Sequence, residues 1–169
     1  LPVSDPDLPS ILAAYDPHDV IVFNWCEGLP GIDRSEAGVA ETLERLRFTY
    51  TGATPEVLKR CYDKPQVKRM LRSQGVPTPK WKVLHSPAEN GWNCFPAIVK
   101  PACEHCSFGI DSGAVVCDPG QLNQRVSYVL DTFQQPAIVE DFVDGREFHV
   151  PIWGNDQLEM LPPVEIDFS

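Results

Sequence analysis

Hydrophobic and polar positions divide the first third of the chain into short alternating elements. The apolar run 19–23 (DVIVF) predicts a buried strand, and the turn-forming residues of 24–34 predict a loop. Ser35 can cap a helix that reaches Leu46, and a short strand at 48–51 follows it. Strand, loop, helix and strand in this order are typical of a parallel α/β layer.

Two further helices are predicted before residue 76. Thr54 can cap a helix over 54–61, which has a proline in its first turn. A second helix should begin near Asp63 and end at Gly75, because a glycine often ends a helix. The apolar positions of this second helix are Val67, Met70 and Leu71.

The rest of the pattern predicts strands around one long helix. The helix is predicted over 119–133, where apolar residues recur at helical spacing: Leu122, Val126, Val129, Leu130 and Phe133. Strands are predicted at 81–84, 97–100, 113–117, 137–143, 146–153 and 158–166. We expect 113–117 to pair with 97–100, and 146–153 to pair antiparallel with 137–143 across a tight turn. Residues 64–150 are therefore predicted to form a small α+β module with an antiparallel sheet.

The composition indicates a soluble globular protein of one domain or two small ones. Of its 169 residues 43% are hydrophobic and 22% are charged, and the longest apolar stretch, 20–23, is far too short to span a bilayer. The net charge of −10 disfavours general nucleic-acid binding, which depends on cationic side chains. The chain shows no signal-peptide pattern, so we expect a cytoplasmic protein without a membrane partner. From its loose, proline-rich opening we expect the chain to be a segment of a longer protein.

Six cysteines are scattered along the chain and are interpreted as reduced thiols. Cys103 and Cys106 enclose His105, a spacing that could supply half of a zinc site. A closed zinc site would need further ligands from among Cys94, Cys117, His85 and His149. Because no second pair of this spacing exists, zinc binding is a minor hypothesis, and a redox pair is less favoured still.

The stretch 95–109 (FPAIVKPACEHCSFG) could bind phosphate. It predicts a buried strand that ends at Lys100, followed by a loop of small and polar residues that closes at Gly109. A lysine held at a strand end is a fixed positive charge for a polyanion, and the loop offers backbone N–H groups. The alternative is a strand end with a solvated lysine.

Four charged residues lie at the ends or edges of predicted elements: Lys64, Lys100, Glu140 and Glu147. If the helix that begins near Lys64 lies beside the sheet, two lysines face two glutamates across one cleft. Ammonium groups can neutralise phosphates and a carboxylate can bind ribose hydroxyls, so the set could bind a nucleotide. Two ordinary surface salt bridges are the alternative.

Four segments, 27–79, 95–110, 137–150 and 161–169, resemble the D-alanine:D-alanine ligase branch of the ATP-grasp superfamily. They include YDK at 62–64, FPAIVKPACEHCSFGI at 95–110 and AIVEDFVDGREFHV at 137–150. The resemblance runs from about Val20 to the C-terminus. It implies part of a pre-ATP-grasp α/β domain over 1–53. A small ATP-grasp subdomain with an antiparallel sheet and packed helices would occupy 54–143, and a C-terminal lobe would begin at 144–169.

The resemblance also implies which residues contact the phosphates of ATP. By their place in the family motifs these are Lys64 and Lys100, together with the loop residues Glu104 and Ser107. Lys100 and Ser107 would be the catalytic residues of this set. The loop matches the family pattern again at Gly109, whereas His105 and Cys106 stand where the family has glycine and serine.

The nucleoside would be bound by the predicted strand 137–143 and the segment after it. The resemblance implies that Glu140, Asp141 and Val143 contact adenine and that Glu147 binds the ribose. Glu165 and Asp167 belong to an earlier strand of the family pattern than its metal ligands, so no metal ligand is expected within this chain.

The implied activity is that of an ATP-dependent carboxylate–amine ligase. ATP would phosphorylate a carboxylate and an amine would displace phosphate from the acylphosphate, with D-alanine as the favoured amino-acid substrate. ATP and Mg²⁺ are the implied cofactors, with the magnesium ligands outside residues 1–169. The chain alone is therefore not expected to turn over, and the full-length parent could be a homodimer. The alternative is a nucleotide-binding or vestigial module without catalysis.

Overall fold

The computed structural model describes residues 2–89 and 91–167. The helices of this part are α1 (Leu8–Leu12), α2 (Glu36–Arg45), α3 (Pro55–Tyr62), α4 (Lys64–Ser73) and α5 (Pro119–Phe133). Its strands are β1 (Ile21–Val22), β2 (Thr49–Tyr50), β3 (Trp81–Leu84), β4 (Ala97–Pro101), β5 (Val115–Val116), β6 (Ala137–Asp141), β7 (Glu147–His149), β8 (Ile152–Trp153), β9 (Glu159–Met160) and β10 (Val164–Ile166). None of the helices in these two ranges is long and apolar enough to cross a membrane.

The central feature is a four-stranded antiparallel sheet with the order β3-β6-β4-β5. In its register Ile98 of β4 lies opposite Glu140 of β6, and Ala97 lies opposite Val116 of β5. Helix α5 packs on this sheet and buries Leu122 and Val126 completely, because its apolar residues recur every three to four positions. The predicted antiparallel α+β module and the pairing of 113–117 with 97–100 are confirmed.

Side chains cap the starts of helices α3 and α5, and the cap predicted at Thr54 is one of them. The side chain of Thr54 accepts a hydrogen bond from the backbone N–H of Val57, and the side chain of Asp118 accepts one from Gln121. Ser35 also stands at an N-cap position, yet its hydroxyl does not cap α2. It donates to the carbonyl oxygen of Ile32 instead, at 2.7 Å, so Ser35 fastens the preceding loop.

The predicted buried strand at 19–23 is wrong in both length and burial. Only β1 forms there, and it pairs in parallel with β2 as expected of an α/β layer. Ile21 is 71% exposed and Phe23 is 73% exposed. Because β1 has β2 as its single partner in a two-stranded sheet, its backbone is covered on one edge and its apolar side chains are not enclosed by neighbouring strands.

The predicted hairpin between 137–143 and 146–153 is also wrong. Strand β6 lies between β3 and β4, so both of its hydrogen-bonding edges are occupied. Strand β7 pairs antiparallel with β10 instead, while β8 pairs with β9. The single strand predicted at 158–166 is accordingly divided between β9 and β10.

Helix α4 buries one of its charged residues more deeply than its apolar positions. Met70 is 40% exposed, whereas Lys68 is 8% exposed. A charged side chain is seldom buried unless it has a partner of opposite charge. The burial of Lys68 therefore indicates that an acidic side chain lies beside it.

Candidate functional site

Helix α4 brings its first residue against the loop that follows β4. The side chain of Asp63 accepts a hydrogen bond from Gln66 N–H and begins the helix. The ammonium group of Lys64 donates to the carbonyl oxygen of Pro101 at 3.0 Å and to that of Glu104. The Lys64 ammonium is therefore held over the start of the 101–109 loop.

A buried carboxylate connects α4 to the sheet. Glu140 Oε2 lies 3.2 Å from the Nζ atoms of both Lys68 and Lys100, and the Glu140 side chain is 6% exposed. Lys100 and Glu140 are diagonal neighbours on one face of the sheet, since Lys100 lies opposite Ile138 and Glu140 lies opposite Ile98. Lys68 also donates to Thr78 Oγ1 at 2.7 Å.

The cluster of Lys64, Lys68, Lys100 and Glu140 is called the lysine cluster below. Burial lowers the pKa of Lys64 below its ordinary value of 10.5, and the nearby Lys100 ammonium lowers it further, against the attraction of Glu104 and Glu140. The cluster contains three lysines and one carboxylate, which contacts Lys68 and Lys100, so it carries excess positive charge inside a protein whose net charge is −10. An anion such as a phosphate is the ligand that this arrangement favours.

The 101–109 loop is anchored through Glu104. Its Oε1 atom accepts hydrogen bonds from Arg34 Nη2 at 2.6 Å and from Gln135 Nε2 at 2.7 Å. Gln135 also accepts a hydrogen bond from the backbone N–H of Cys103, at 2.6 Å. The Glu104 carboxylate thus ties the loop to the segment before α2 and to the start of β6, while the Ser107 side chain is exposed.

Gly109 has a packing role that the sequence did not suggest. Its φ angle is +75°, and a Cβ atom there would lie 2.7 Å from Pro101 Cγ and 2.8 Å from Phe133 Cζ. The residues in the left-handed region nearer the middle of the loop are Cys106 and Ser107, with φ angles of +52° and +58°. The groups that approach the Gly109 backbone closely are therefore the side chains of Pro101 and Phe133.

The residues expected around adenine lie where β6 leaves the sheet. Glu140 is within the paired part of β6, and Asp141 N–H donates to the carbonyl oxygen of Lys80 at 3.0 Å. Val143 follows the end of β6 and is 68% exposed. Strand β6 thus supplies one buried charge to the lysine cluster and an accessible backbone segment immediately after it.

Glu147 is not drawn into the lysine cluster. It lies on β7, opposite Ile166 of β10, and its side chain is exposed, with Oε1 3.6 Å from Nε2 of His149. The expectation that two lysines face two glutamates is therefore met by Glu140 alone. The second lysine contact of Glu140 is made by Lys68, where the sequence had suggested Lys64.

Sequence reasoning missed Lys68 and Arg34. A signal for Lys68 was present, because it lies one helical turn after Lys64 and shares its face. For Arg34 the sequence carried no such signal, since its partner Glu104 is 70 positions away. Within residues 2–89 and 91–167, no three His, Cys, Asp or Glu side chains are grouped as metal binding would require. That finding gives no support to the zinc hypothesis.

Residues 70–169, more than half of the chain, match the family described as D-ala D-ala ligase C-terminus. The chain belongs to the D-Ala-D-Ala ligase family. The D-alanine–D-alanine ligase of Aquifex aeolicus is 32% identical over 167 residues, covering 96% of this chain and 53% of that protein. Protein y4sG of Sinorhizobium fredii, which is uncharacterized, is 37% identical over 150 residues, covering 88% of this chain and 44% of that protein. The chain spans about half the length of these curated relatives.

Solved structures of D-Ala-D-Ala ligases share the fold. The enzyme from Coxiella burnetii matches with a TM-score of 0.65 at 22% identity, over 95% of this chain and 56% of that one. The enzyme from Bacillus anthracis, complexed with ATP, matches with a TM-score of 0.61 at 26% identity, over 78% of this chain and 43% of that one. The fold of the described residues is therefore that of the ATP-grasp ligases.

Replacing Gly109 by alanine should destabilise the protein through the clash of the added Cβ. Gly75 is a matched control, because its φ angle is +72° and nothing lies within 4 Å of a Cβ there. We expect Gly75→Ala to cost about 1 kcal/mol from backbone strain alone. Gly109→Ala should cost about 1–3 kcal/mol more from overpacking. Urea unfolding followed by circular dichroism measures both, and equal costs would contradict the packing role of Gly109.

Replacing Glu140 by glutamine should destabilise the protein because two poorly solvated ammonium groups lose their partner. We expect a loss of about 3 kcal/mol in the free energy of unfolding. The control is Glu165→Gln, which breaks the exposed ion pair with Arg146 and should cost much less, because water screens exposed charges. Thermal and urea unfolding test this, and a Glu140→Gln loss no larger than that of the control would show that the cluster does not depend on the carboxylate.

Proposed function

We propose that the chain is the ATP-binding portion of an ATP-dependent carboxylate–amine ligase. The observation that carries this proposal is the lysine cluster, with its excess positive charge at the start of the 101–109 loop. The likeness of the chain to the B. anthracis ligase structure, which is complexed with ATP, supports the choice of ATP as the anion.

The described residues fit the phosphates of ATP. Lys64 and Lys100 have ammonium groups with three N–H donors each, and the recorded contacts leave donors for phosphate oxygens. Lys68 is enclosed by Glu140 and Thr78, so its part is to hold Glu140 and, through it, Lys100. Ser107, exposed in the loop, is a further donor for the terminal phosphate.

The nucleoside would lie beside the end of β6. Backbone groups around Asp141 and Val143 would contact the adenine edge. The exposed carboxylate of Glu147 would accept hydrogen bonds from the ribose hydroxyls. Glu140 lies in the paired part of β6, so its contribution is through the ion pairs that hold Lys100.

In the proposed reaction ATP would phosphorylate the carboxylate of an amino acid, with D-alanine favoured. The amine of a second amino acid would then displace phosphate. Phosphoryl transfer also requires divalent cations. Within residues 2–89 and 91–167 no three His, Cys, Asp or Glu side chains are grouped as a metal ion would need, so no step of the reaction is assigned to the metal on this chain. We therefore propose nucleotide binding without turnover for residues 1–169.

The separate hydrophobic clusters support a division of the chain near residue 53. One cluster contains Leu8, Leu12, Val39, Leu43 and Phe48, and the other lies between α5 and the four-stranded sheet. We propose that 1–53 belong to a domain preceding the ATP-grasp subdomain of 54–143, and that 144–169 begin a further lobe.

Loss of the Lys100 or Lys64 ammonium should weaken ATP binding. Each charge-assisted contact is worth about 1.5–3 kcal/mol, so we expect Lys100→Ala and Lys64→Ala to raise the Kd for ATP roughly 10-fold or more. Lys59→Ala, which removes an exposed lysine outside the cluster, is the charge-matched control and should leave the Kd unchanged. Isothermal titration with ATP and with adenosine measures this, and only ATP binding should respond. Wild-type protein that binds no ATP would contradict the proposal.

ATP affinity should fall as the pH rises in the alkaline range below 10.5. The pKa of Lys64 is lowered by burial, so the free protein loses this proton before an ordinary lysine would. Phosphate binds the protonated form, and binding must then take up a proton, which becomes less favourable as the pH rises. Lys64→Arg should remove this dependence, because a guanidinium stays protonated. A titration series over pH tests the point, and identical pH dependence in the two proteins would argue against it.

A further inference from the structure

Three side chains outside the lysine cluster form a continuous row of polar contacts. Glu36 Oε1 lies 2.9 Å from Nε2 of His105, and Nδ1 of His105 lies 2.8 Å from Sγ of Cys106. Glu36 is the first residue of α2, whereas His105 and Cys106 belong to the 101–109 loop. A carboxylate, an imidazole and a thiol in this order are the parts of an activated nucleophile.

The chemistry of the contacts determines which way the imidazole points. A carboxylate only accepts hydrogen bonds, so Nε2 of His105 carries a proton toward Glu36. The neutral ring then presents the lone pair of Nδ1 to the Cys106 thiol and can take its proton. Glu36 stabilises the imidazolium that results, so it acts as a positioning residue.

The imidazole is held firmly by its surroundings. The ring of Tyr62 contacts the ring of His105, with 4.4 Å between centroids. The Tyr62 hydroxyl donates to the second oxygen of Glu36. The Glu36 side chain is 14% exposed, so water competes little for it. Helices α2 and α3 thus fix the base on which the loop thiol depends.

Cys106 differs from the nearby Cys103 in both exposure and environment. Cys106 is exposed, and its φ angle of +52° places it in a backbone region that few non-glycine residues adopt. Cys103 is half-buried, and burial raises the pKa of its thiol, which favours the unreactive form. Cys106 is therefore the candidate nucleophile of this loop.

A cavity of about 400 Å³ opens beside the thiol. Phe108 and Phe133 form an aromatic wall, with 5.5 Å between their ring centroids. The carboxylates of Glu27 and Asp33 also line the cavity. The cavity can hold a small acyl group, and its acidic lining disfavours an anionic one.

We propose that Cys106, His105 and Glu36 form an acyl-accepting site for small activated esters without negative charge. The Cys106 proton passes to Nδ1 of His105 as Sγ attacks the carbonyl carbon. The C–S bond forms, the bond from that carbon to the leaving oxygen breaks, and the oxygen departs with the electron pair and the imidazolium proton. The product is a thioester on Cys106. This chemistry requires no nucleotide, so it stands apart from the proposed ATP site.

The test uses p-nitrophenyl acetate with the whole protein. We expect one equivalent of p-nitrophenol per chain at neutral pH, and peptide mass analysis should place one acetyl group on Cys106. Cys61, exposed on α3, is the internal control and should acquire acetyl groups at least 10-fold more slowly, since general-base catalysis contributes about 10²–10⁴-fold. Mono-p-nitrophenyl succinate should react more slowly than the acetate ester.

Variants separate catalysis from structure. Cys106→Ser should lose the acetylation and Cys61→Ser should retain it. His105→Gly should slow the reaction about 10²-fold, and added imidazole should restore part of the rate, which a purely structural role would not allow. The same rescue should be weaker when Glu36→Gln is combined with His105→Gly, because the carboxylate that orients imidazole is gone.

Several results would overturn this site. Acetylation of Cys106 no faster than that of Cys61 would do so, as would a full rate in His105→Gly. Rapid alkylation of Cys106 by iodoacetamide without any acetylation would equally exclude acyl transfer. ATP binding, measured on the same samples, reports separately on the lysine cluster, so failure of one site does not imply failure of the other.

Discussion

The buried carboxylate of Glu140 is the interaction on which the lysine cluster depends. A single carboxylate oxygen, 3.2 Å from two ammonium groups, joins helix α4 to the central strand of the sheet. Charges removed from water are tolerated only when they are paired, so the position of each of these groups depends on the others. Helix α4 in turn carries Lys64, whose ammonium is held by carbonyl oxygens of the following loop. One ion-paired centre thereby connects a helix, a sheet and a loop.

The 101–109 loop lies between the lysine cluster and the row formed by Glu36, His105 and Cys106. On one side a backbone carbonyl oxygen of the loop accepts a hydrogen bond from the Lys64 ammonium, and on the other side the His105 side chain contacts Glu36. Glu104, between them, is tied to Arg34 and Gln135. The positions at which the chain departs from the family motif, His105 and Cys106, do not weaken these anchors. His105 adds contacts to Glu36 of α2 and Tyr62 of α3, which a glycine could not make.

Regular elements with local signals were predicted well. Helix α5 agrees residue for residue with the prediction over 119–133, because its apolar period is encoded within the helix. Helix α3 follows its Thr54 cap for the same reason. The assignment of the ATP contacts, drawn from motif order, remains a proposal that the geometry of Lys64 and Lys100 supports.

By itself the sequence determined features that are encoded in neighbouring residues: helix periods, the Thr54 cap and the family motifs. The tertiary structure alone decided the features that depend on distant partners. Strand β7 does not pair with β6 because β3 and β4 occupy both edges of β6. Lys68 is buried because it pairs with Glu140, which lies 3.2 Å away in space although it is distant in the chain. A local sequence pattern does not show which strand edges other strands already occupy, or which charged residues pair over such separations. These long-range contacts assemble the candidate site.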